Sequence, residues 1–276
     1  MKNFRLPDGC NLVYTDEGEG PPLLMLHGWS QSAAMFHHQI ADLRRSYRVI
    51  APDLRGHGLS DKPAHGYRME ALAADVNSLL DHLKLAKTAA LGWSMGASVL
   101  WSFADIFGLS RFERLVFVDE PACVVQLPGM TPEDITDAGA IFDLAGLQGL
   151  IGGLLGPDSA AVRKQFVDGM LSPDADAAMR GYVLEENLKM PATAAAALLL
   201  NHATQDWRDL IPRLDRPALV IGGHVSHVNP QSQRWIANRL PNARLEIISA
   251  KDRGSHFPFL ENPSLFNSLL RDFLGN

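Results

Sequence analysis

Gly92-Trp93-Ser94-Met95-Gly96 stands between a short apolar run and a helical pattern, and it is the strongest chemical signal in the 276 residues. The spacing G-x-S-x-G is that of a nucleophile elbow, a serine on a tight turn from strand to helix. Glycines are needed around it because side chains there would collide with neighbouring backbone. The turn lifts the Ser94 hydroxyl above a sheet and aims a helix N-terminus at developing negative charge. A serine at neutral pH is a weak nucleophile and needs a base, usually a histidine oriented by a carboxylate. Of ten histidines, His256 is placed best, in Gly254-Ser255-His256-Phe257-Pro258, after the last apolar run and before a C-terminal helix. Loops at the carboxyl ends of strands are where catalytic groups gather in open α/β sheets. His37, His38, His65 and His82 fall in or beside surface helices, while His27 and His57 read as structural hydrogen-bonding residues. His224 and His227 are three apart, but zinc sites take three or four protein ligands, and no acid or cysteine is close in sequence. No metal is expected.

The elements that must position these groups are visible as short apolar runs. Leu23 to Leu26, Tyr47 to Ala51, Thr88 to Gly92, Arg114 to Val118, Pro217 to Ile221 and Leu245 to Ile248 are flanked largely by Gly, Pro, Asp or Asn and are too short for helices, so each is predicted as a buried strand. Between them, apolar residues recur at helical spacing, as at Leu72, Val76, Leu79, Leu80 and Leu83, and helices are predicted over Ala97 to Phe107, Gln231 to Arg239 and Pro263 to Phe273. Alternating strands and helices imply an α/β fold with a parallel sheet covered on both faces. From about Glu120 to Pro212 the strand signal vanishes. That stretch reads as a helical insertion on one edge of an otherwise continuous sheet, giving a core of residues 1–120 and 213–276 and a cap of residues 121–212.

Composition narrows the partners. Lys and Arg number 25 against 31 Asp and Glu, a net charge of −6, where nucleic-acid binding is usually met by a basic excess. Two cysteines, Cys10 and Cys123, make no disulfide framework, so a reducing, cytoplasmic setting is expected. No secretory signal or membrane span is apparent. The acidity is concentrated: residues 121–212 hold 12 Asp and Glu against 5 Lys and Arg. An acidic cap disfavours polyanionic substrates and leaves small neutral or weakly charged ones. Phe142, Leu144, Leu147, Leu150, Ile151, Leu154 and Leu155 are read as apolar lining of that cap or as its own packing.

His27-Gly28-Trp29, then Asp53-Leu54-Arg55-Gly56-His57-Gly58-Leu59-Ser60, then the Ser94 elbow, together with the His256 segment through Pro263, resemble the α/β-hydrolase family, in particular its esterase and cofactor-free haloperoxidase branch. The resemblance implies an α/β-hydrolase fold with a mostly parallel eight-stranded sheet and a chain order of serine, acid, histidine. It also implies an oxyanion hole from the backbone N–H groups of Trp29 and Met95. Most relatives carry the acid just after the strand that ends near Ile221. Here that place is held by Ser226, and no carboxylate lies between Gly222 and Asn242. Some branches, among them haloalkane dehalogenases and cofactor-independent quinolone dioxygenases, place it after the strand following the nucleophile helix. Val118-Asp119-Glu120-Pro121 then offers Asp119, with Glu120 as the alternative and a Ser94–His256 dyad as a third arrangement.

The expected activity is hydrolysis of an ester, lactone or amide of a small molecule through Ser94, Asp119 and His256, with no cofactor. A second reading is a cofactor-free dioxygenase using His256 and Asp119 on a heteroaromatic substrate, although Trp93 and Met95 flank the serine where those enzymes resemble one another in carrying His. A third is a non-catalytic ligand-binding module. Haloalkane dehalogenation is disfavoured because its nucleophile is Asp and position 94 is Ser.

Overall fold

The protein is described by a computed structural model over residues 1–275. Eight strands form one sheet: β1 (Lys2–Arg5), β2 (Asn11–Glu17), β3 (Pro22–Leu26), β4 (Arg48–Pro52), β5 (Thr88–Trp93), β6 (Phe112–Val118), β7 (Ala218–Gly223) and β8 (Ala243–Ile248). They lie in the order β1-β2-β4-β3-β5-β6-β7-β8. From β4 to β8 every pairing is parallel; β2 runs antiparallel to both β1 and β4. The six parallel strands are the six apolar runs of the sequence. The other two were not legible that way. β2 has only one deeply buried face, Leu12 and Tyr14, and β1 is largely exposed, so neither forms a continuous apolar run.

Adjacent residues of each parallel strand enter different cores, as the two-residue period requires. Leu24 and Leu26 of β3 join Leu115 and Phe117 of β6 under helices α2 (Met69–His82), α3 (Met95–Phe107) and α9 (Pro230–Arg239). Leu23 and Met25 join Val116 and Val118 on the opposite face, under α1 (His37–Leu43) and α10 (Pro263–Leu274). Leu72, Val76, Leu79 and Leu80, the helical stripe of the sequence, are buried on the inner side of α2.

Five helices lie between β6 and β7: α4 (Pro132–Ala138), α5 (Leu144–Leu155), α6 (Ser159–Asp168), α7 (Ala177–Leu188) and α8 (Ala192–Ala203). β6 and β7 are inner strands that pair directly, Leu115 with Ala218 through Val118 with Ile221. The helices therefore sit over the carboxyl ends of the strands and not beside an edge strand. The loop after β3 holds them there: Trp29 Nε1 donates to the Ala195 carbonyl at 2.9 Å, Ser30 Oγ to the Asn187 carbonyl at 2.8 Å, and Ser32 Oγ to Glu186 Oε2 at 2.6 Å. Part of the acidity of this segment is helix capping. Asp143 and Asp176 accept from the Gly146 and Met179 N–H groups, and Asp134 closes a capping box with Thr131, the placement favoured at helix N-termini.

The apolar stripe of α5 turns out to be mostly packing. Leu147 and Leu154 are buried, whereas Leu144 and Leu155 are more than half exposed. Among the described residues no helix is long and apolar enough to cross a membrane.

Backbone approaches backbone closely at the start of α3. A Cβ on Gly96 would lie 2.2 Å from the Leu26 carbonyl oxygen, and one on Gly92 would lie 2.4 Å from the Gly96 carbonyl oxygen. Gly96→Ala must therefore push α3 away from β3. A loss of about 1–3 kcal/mol is expected from such overpacking, read as a fall in the thermal midpoint. An unchanged midpoint would show that α3 can shift freely at this point.

Candidate active site

Ser94 links β5 to α3 with φ 51° and ψ −133°, a sparsely populated conformation for a residue with a side chain. It persists because both sides are pinned. The Ser94 N–H donates to the Val118 carbonyl at 2.8 Å, and Gly92 and Gly96 let β5 and α3 meet. Met95 is the first residue of α3, so its N–H has no partner within the helix. Trp29 follows β3 across Gly28, which is close enough to the elbow that a Cβ there would be 3.0 Å from Ser94 Cβ. The sequence-predicted Trp29, Ser94 and Met95 are thus brought together by two neighbouring strands.

Asp119 directly follows β6 in a left-handed conformation, φ 52°, and is fully buried. Its Oδ2 accepts from His256 Nδ1 at 2.6 Å and from the Ser226 hydroxyl, while Oδ1 accepts from the Gly223 N–H at 3.0 Å. Three donors meet a carboxylate removed from water, as a buried carboxylate requires. Ser226, which stands where the common family pattern has its acid, hydrogen-bonds to Asp119. The missing carboxylate is evident in the sequence but this support is not, because the contact spans 107 residues. Glu120 faces elsewhere: its Oε1 accepts from Ser98 Oγ and His202 Nε2, each at 2.6 Å.

His256 is nearly buried, and its segment is held from both sides. Its N–H donates to the Met170 carbonyl at 3.1 Å, and its carbonyl accepts from Trp93 Nε1 at 2.8 Å. Trp93 also packs against Phe257 and Phe259, with ring centroids 5.0 and 4.8 Å away. The elbow residue Trp93 therefore fixes the height of the histidine loop, a role its sequence position did not announce.

Ser94, Glu120, His202 and His256 line one cavity of about 500 Å³, mouth included, between the sheet and the helices of the insertion. Phe142, Phe166, Met170 and Leu199 give it apolar walls. Of the stripe singled out in sequence, only Phe142 lines it. A surface groove of about 750 Å³ abuts this cavity and shares Ile141, Phe166, Met170 and His227 with it. His227 stands edge-on to His256, with centroids 4.4 Å apart, and burial and His256 push its pKa well below the ordinary value. His224 is exposed. The rings of His27 and His57 meet edge to face, with centroids 4.8 Å apart.

The sequence matches the family model of the alpha/beta hydrolase fold over residues 21–263. It is 36% identical to a non-heme haloperoxidase of Rhodococcus erythropolis over 265 residues, 90% of each chain. The esterase RhEst1 of Rhodococcus sp. ECU1013 superposes with a TM-score of 0.84 at 27% identity, covering 100% of this chain and 98% of that one. The esterase EaEST of Exiguobacterium antarcticum shares the fold with a TM-score of 0.90 at 23% identity, over 99% of both chains. The chain belongs to the α/β-hydrolase fold family and is an enzyme similar to its haloperoxidase-like branch.

His27 supplies a pH-dependent signature. Its Nδ1 donates to the Gly28 carbonyl at 2.9 Å and its Nε2 accepts from the Leu54 N–H at 3.0 Å, so the folded state uses the neutral ring. Burial lowers its pKa to about 4 from the ordinary 6.5. The unfolded chain takes up the proton first as pH falls. The contribution is therefore complete above pH 6.5 and is lost progressively between pH 6.5 and about 4, a change on the order of 3 kcal/mol. His57 is depressed by burial in the same sense. Urea midpoints measured from pH 7 to pH 4 should fall less steeply for His27→Gln than for the unaltered protein; parallel curves would remove His27 as the cause.

Proposed function

We propose that this enzyme is a serine hydrolase that cleaves a small, largely apolar ester, lactone or amide, carboxylic esters foremost, through an acyl-enzyme on Ser94. The observation that supports it most is the 2.6 Å hydrogen bond between His256 Nδ1 and Asp119 at the cavity that Ser94 lines. With the Nδ1 proton committed to Asp119, His256 Nε2 is left as the base. It takes the Ser94 proton as Oγ attacks the substrate carbonyl, and the imidazolium that forms is stabilised by the Asp119 carboxylate. The N–H groups of Trp29 and Met95 receive the oxyanion. His256 then protonates the leaving oxygen or nitrogen, the carbonyl re-forms, and the acyl group remains on Ser94. A water activated by His256 attacks the acyl-enzyme, and its collapse releases the acid and restores Ser94. Each oxyanion donor contributes about 10²–10³ in rate. Asp119 fits the third role better than Glu120 because Glu120 is already bonded to Ser98 and His202.

In this reading residues 121–212 act as a lid on a core of residues 1–120 and 213–276. The hydrogen bonds from Trp29, Ser30 and Ser32 to the insertion hold the lid against the loop that carries one of the oxyanion donors. The relatives named as esterases and a haloperoxidase are compatible with acyl chemistry at Ser94.

A fluorophosphonate probe should label Ser94, and Ser94→Ala should abolish both labelling and hydrolysis of p-nitrophenyl butanoate. Asp119→Asn should lower kcat by about 10³-fold or more and by more than Glu120→Gln does. Ester turnover that survives Ser94→Ala would overturn the acyl-enzyme. Substrate-dependent oxygen uptake that survives it would favour a cofactor-free dioxygenase.

A further inference from the structure

Glu120 and His202 form a second acid–imidazole pair at the same cavity, outside the roles assigned above. The left-handed turn at Asp119 sends successive side chains different ways: Asp119 toward His256 and Glu120 toward Ser98 on α3 and His202 on α8. Both members of the pair are buried, and Gln233 Nε2 holds the Glu120 carbonyl at 2.8 Å. The pair is thus a built feature of the wall and not a chance surface contact.

The hydrogen bonds at this wall do not balance. His202 Nε2 donates to Glu120, because an ionised carboxylate can only accept; in a neutral imidazole Nδ1 is then an acceptor. Nδ1 is buried without a partner. Gln31 Nε2 donates to the Val183 carbonyl at 3.3 Å, which leaves Oε1 buried and likewise unpartnered. Glu120 Oε2 takes no hydrogen bond from the described residues, since both of the donors that reach this carboxylate go to Oε1. Gln31, Glu120 and His202 all line the cavity, and among the described residues no Lys or Arg lines it. Buried acceptors left without donors oppose the folded state unless a ligand or water satisfies them. A site that is left with unpaired polar groups by the wrong ligand discriminates strongly against it.

We propose that Gln31, Glu120 and His202 form a subsite that reads a hydrogen-bond donor on the substrate. The substrate is then a neutral or cationic acyl compound bearing an O–H or N–H group near its scissile bond. An anionic substrate would bring further acceptors to a wall that already lacks donors. The nature of the scissile bond rests on the hydrolase reading; the subsite itself does not.

Two esters that differ in one donor test this directly: phenyl 3-hydroxybutanoate and phenyl 3-methoxybutanoate. Binding is measured by NMR titration of the Ser94→Ala protein, which reads the subsite without turnover. The hydroxy ester should bind about tenfold or more tighter, the scale of a hydrogen bond to a charged acceptor. Adding Glu120→Gln, or separately His202→Phe, should bring the ratio of the two affinities below about threefold in at least one of the two proteins. The ratio is internal to each protein, so partial misfolding of a variant cancels. Equal or undetectable binding of both esters, or a preference unchanged in both variants, overturns the subsite. Absence of ester turnover by the unaltered protein, with the binding preference intact, instead overturns the hydrolase reading alone.

Discussion

The carboxylate of Asp119 has no exposure to solvent, and three donors from three segments close on it: His256 Nδ1, the Ser226 hydroxyl and the Gly223 N–H. A carboxylate in that position is costly unless each of its oxygens is met, so the surrounding elements have little freedom. The β6–β7 register must hold, and the Asp119 N–H bond to the Ile221 carbonyl at 2.8 Å extends it one step past β6. The turn after β7 must present Ser226. The loop after β8 must pass close by, which Gly223 and Gly254 permit: a Cβ on Gly223 would lie 2.3 Å from the Gly254 carbonyl oxygen. The proposed acid is thus the point at which the inner strands and the histidine loop are tied together.

The remaining parts of the site are attached to this hub through the elbow. Ser94 hangs from the Val118 carbonyl, one residue before Asp119, and Trp93 carries the His256 loop on its indole. The insertion is fastened to the loop after β3 by Trp29, Ser30 and Ser32, so the loop that would supply an oxyanion donor also anchors the roof. A shift of the insertion would therefore reach the pocket wall and the reacting centre together.

Legibility in the sequence followed the range of the interaction. Six strands were visible because strands buried on both faces are uninterrupted apolar runs; β1 and β2, buried on one face or neither, were not. The G-x-S-x-G turn at Ser94 is visible because its spacing is local, whereas Trp29 and Met95 as oxyanion donors come from the family resemblance. His256 is a candidate from its place after the last strand, and Asp119 from the empty position at Ser226 together with the family resemblance. The apolar stripe around α5 leaves lining and packing open because a helical period shows which side of a helix is apolar, not what that side faces. In this fold Leu147 and Leu154 serve the packing of the insertion, while Phe166, Met170 and Leu199 line the cavity with Phe142.

The sequence by itself determined the α/β architecture, the candidate nucleophile and histidine and the departure from the usual acid position. These depend on local spacing, on periodicity and on which residue types can do the chemistry. Only the tertiary structure decided which of two adjacent carboxylates meets His256, because the φ of Asp119 turns Asp119 and Glu120 toward different partners. It also brought together Ser98, Glu120 and His202, and Ser226 with Asp119, pairs separated by 22 to 107 positions. Hydrogen bonds over such separations leave no periodic trace along a chain; they exist only once the sheet has set the distance between the ends of its strands.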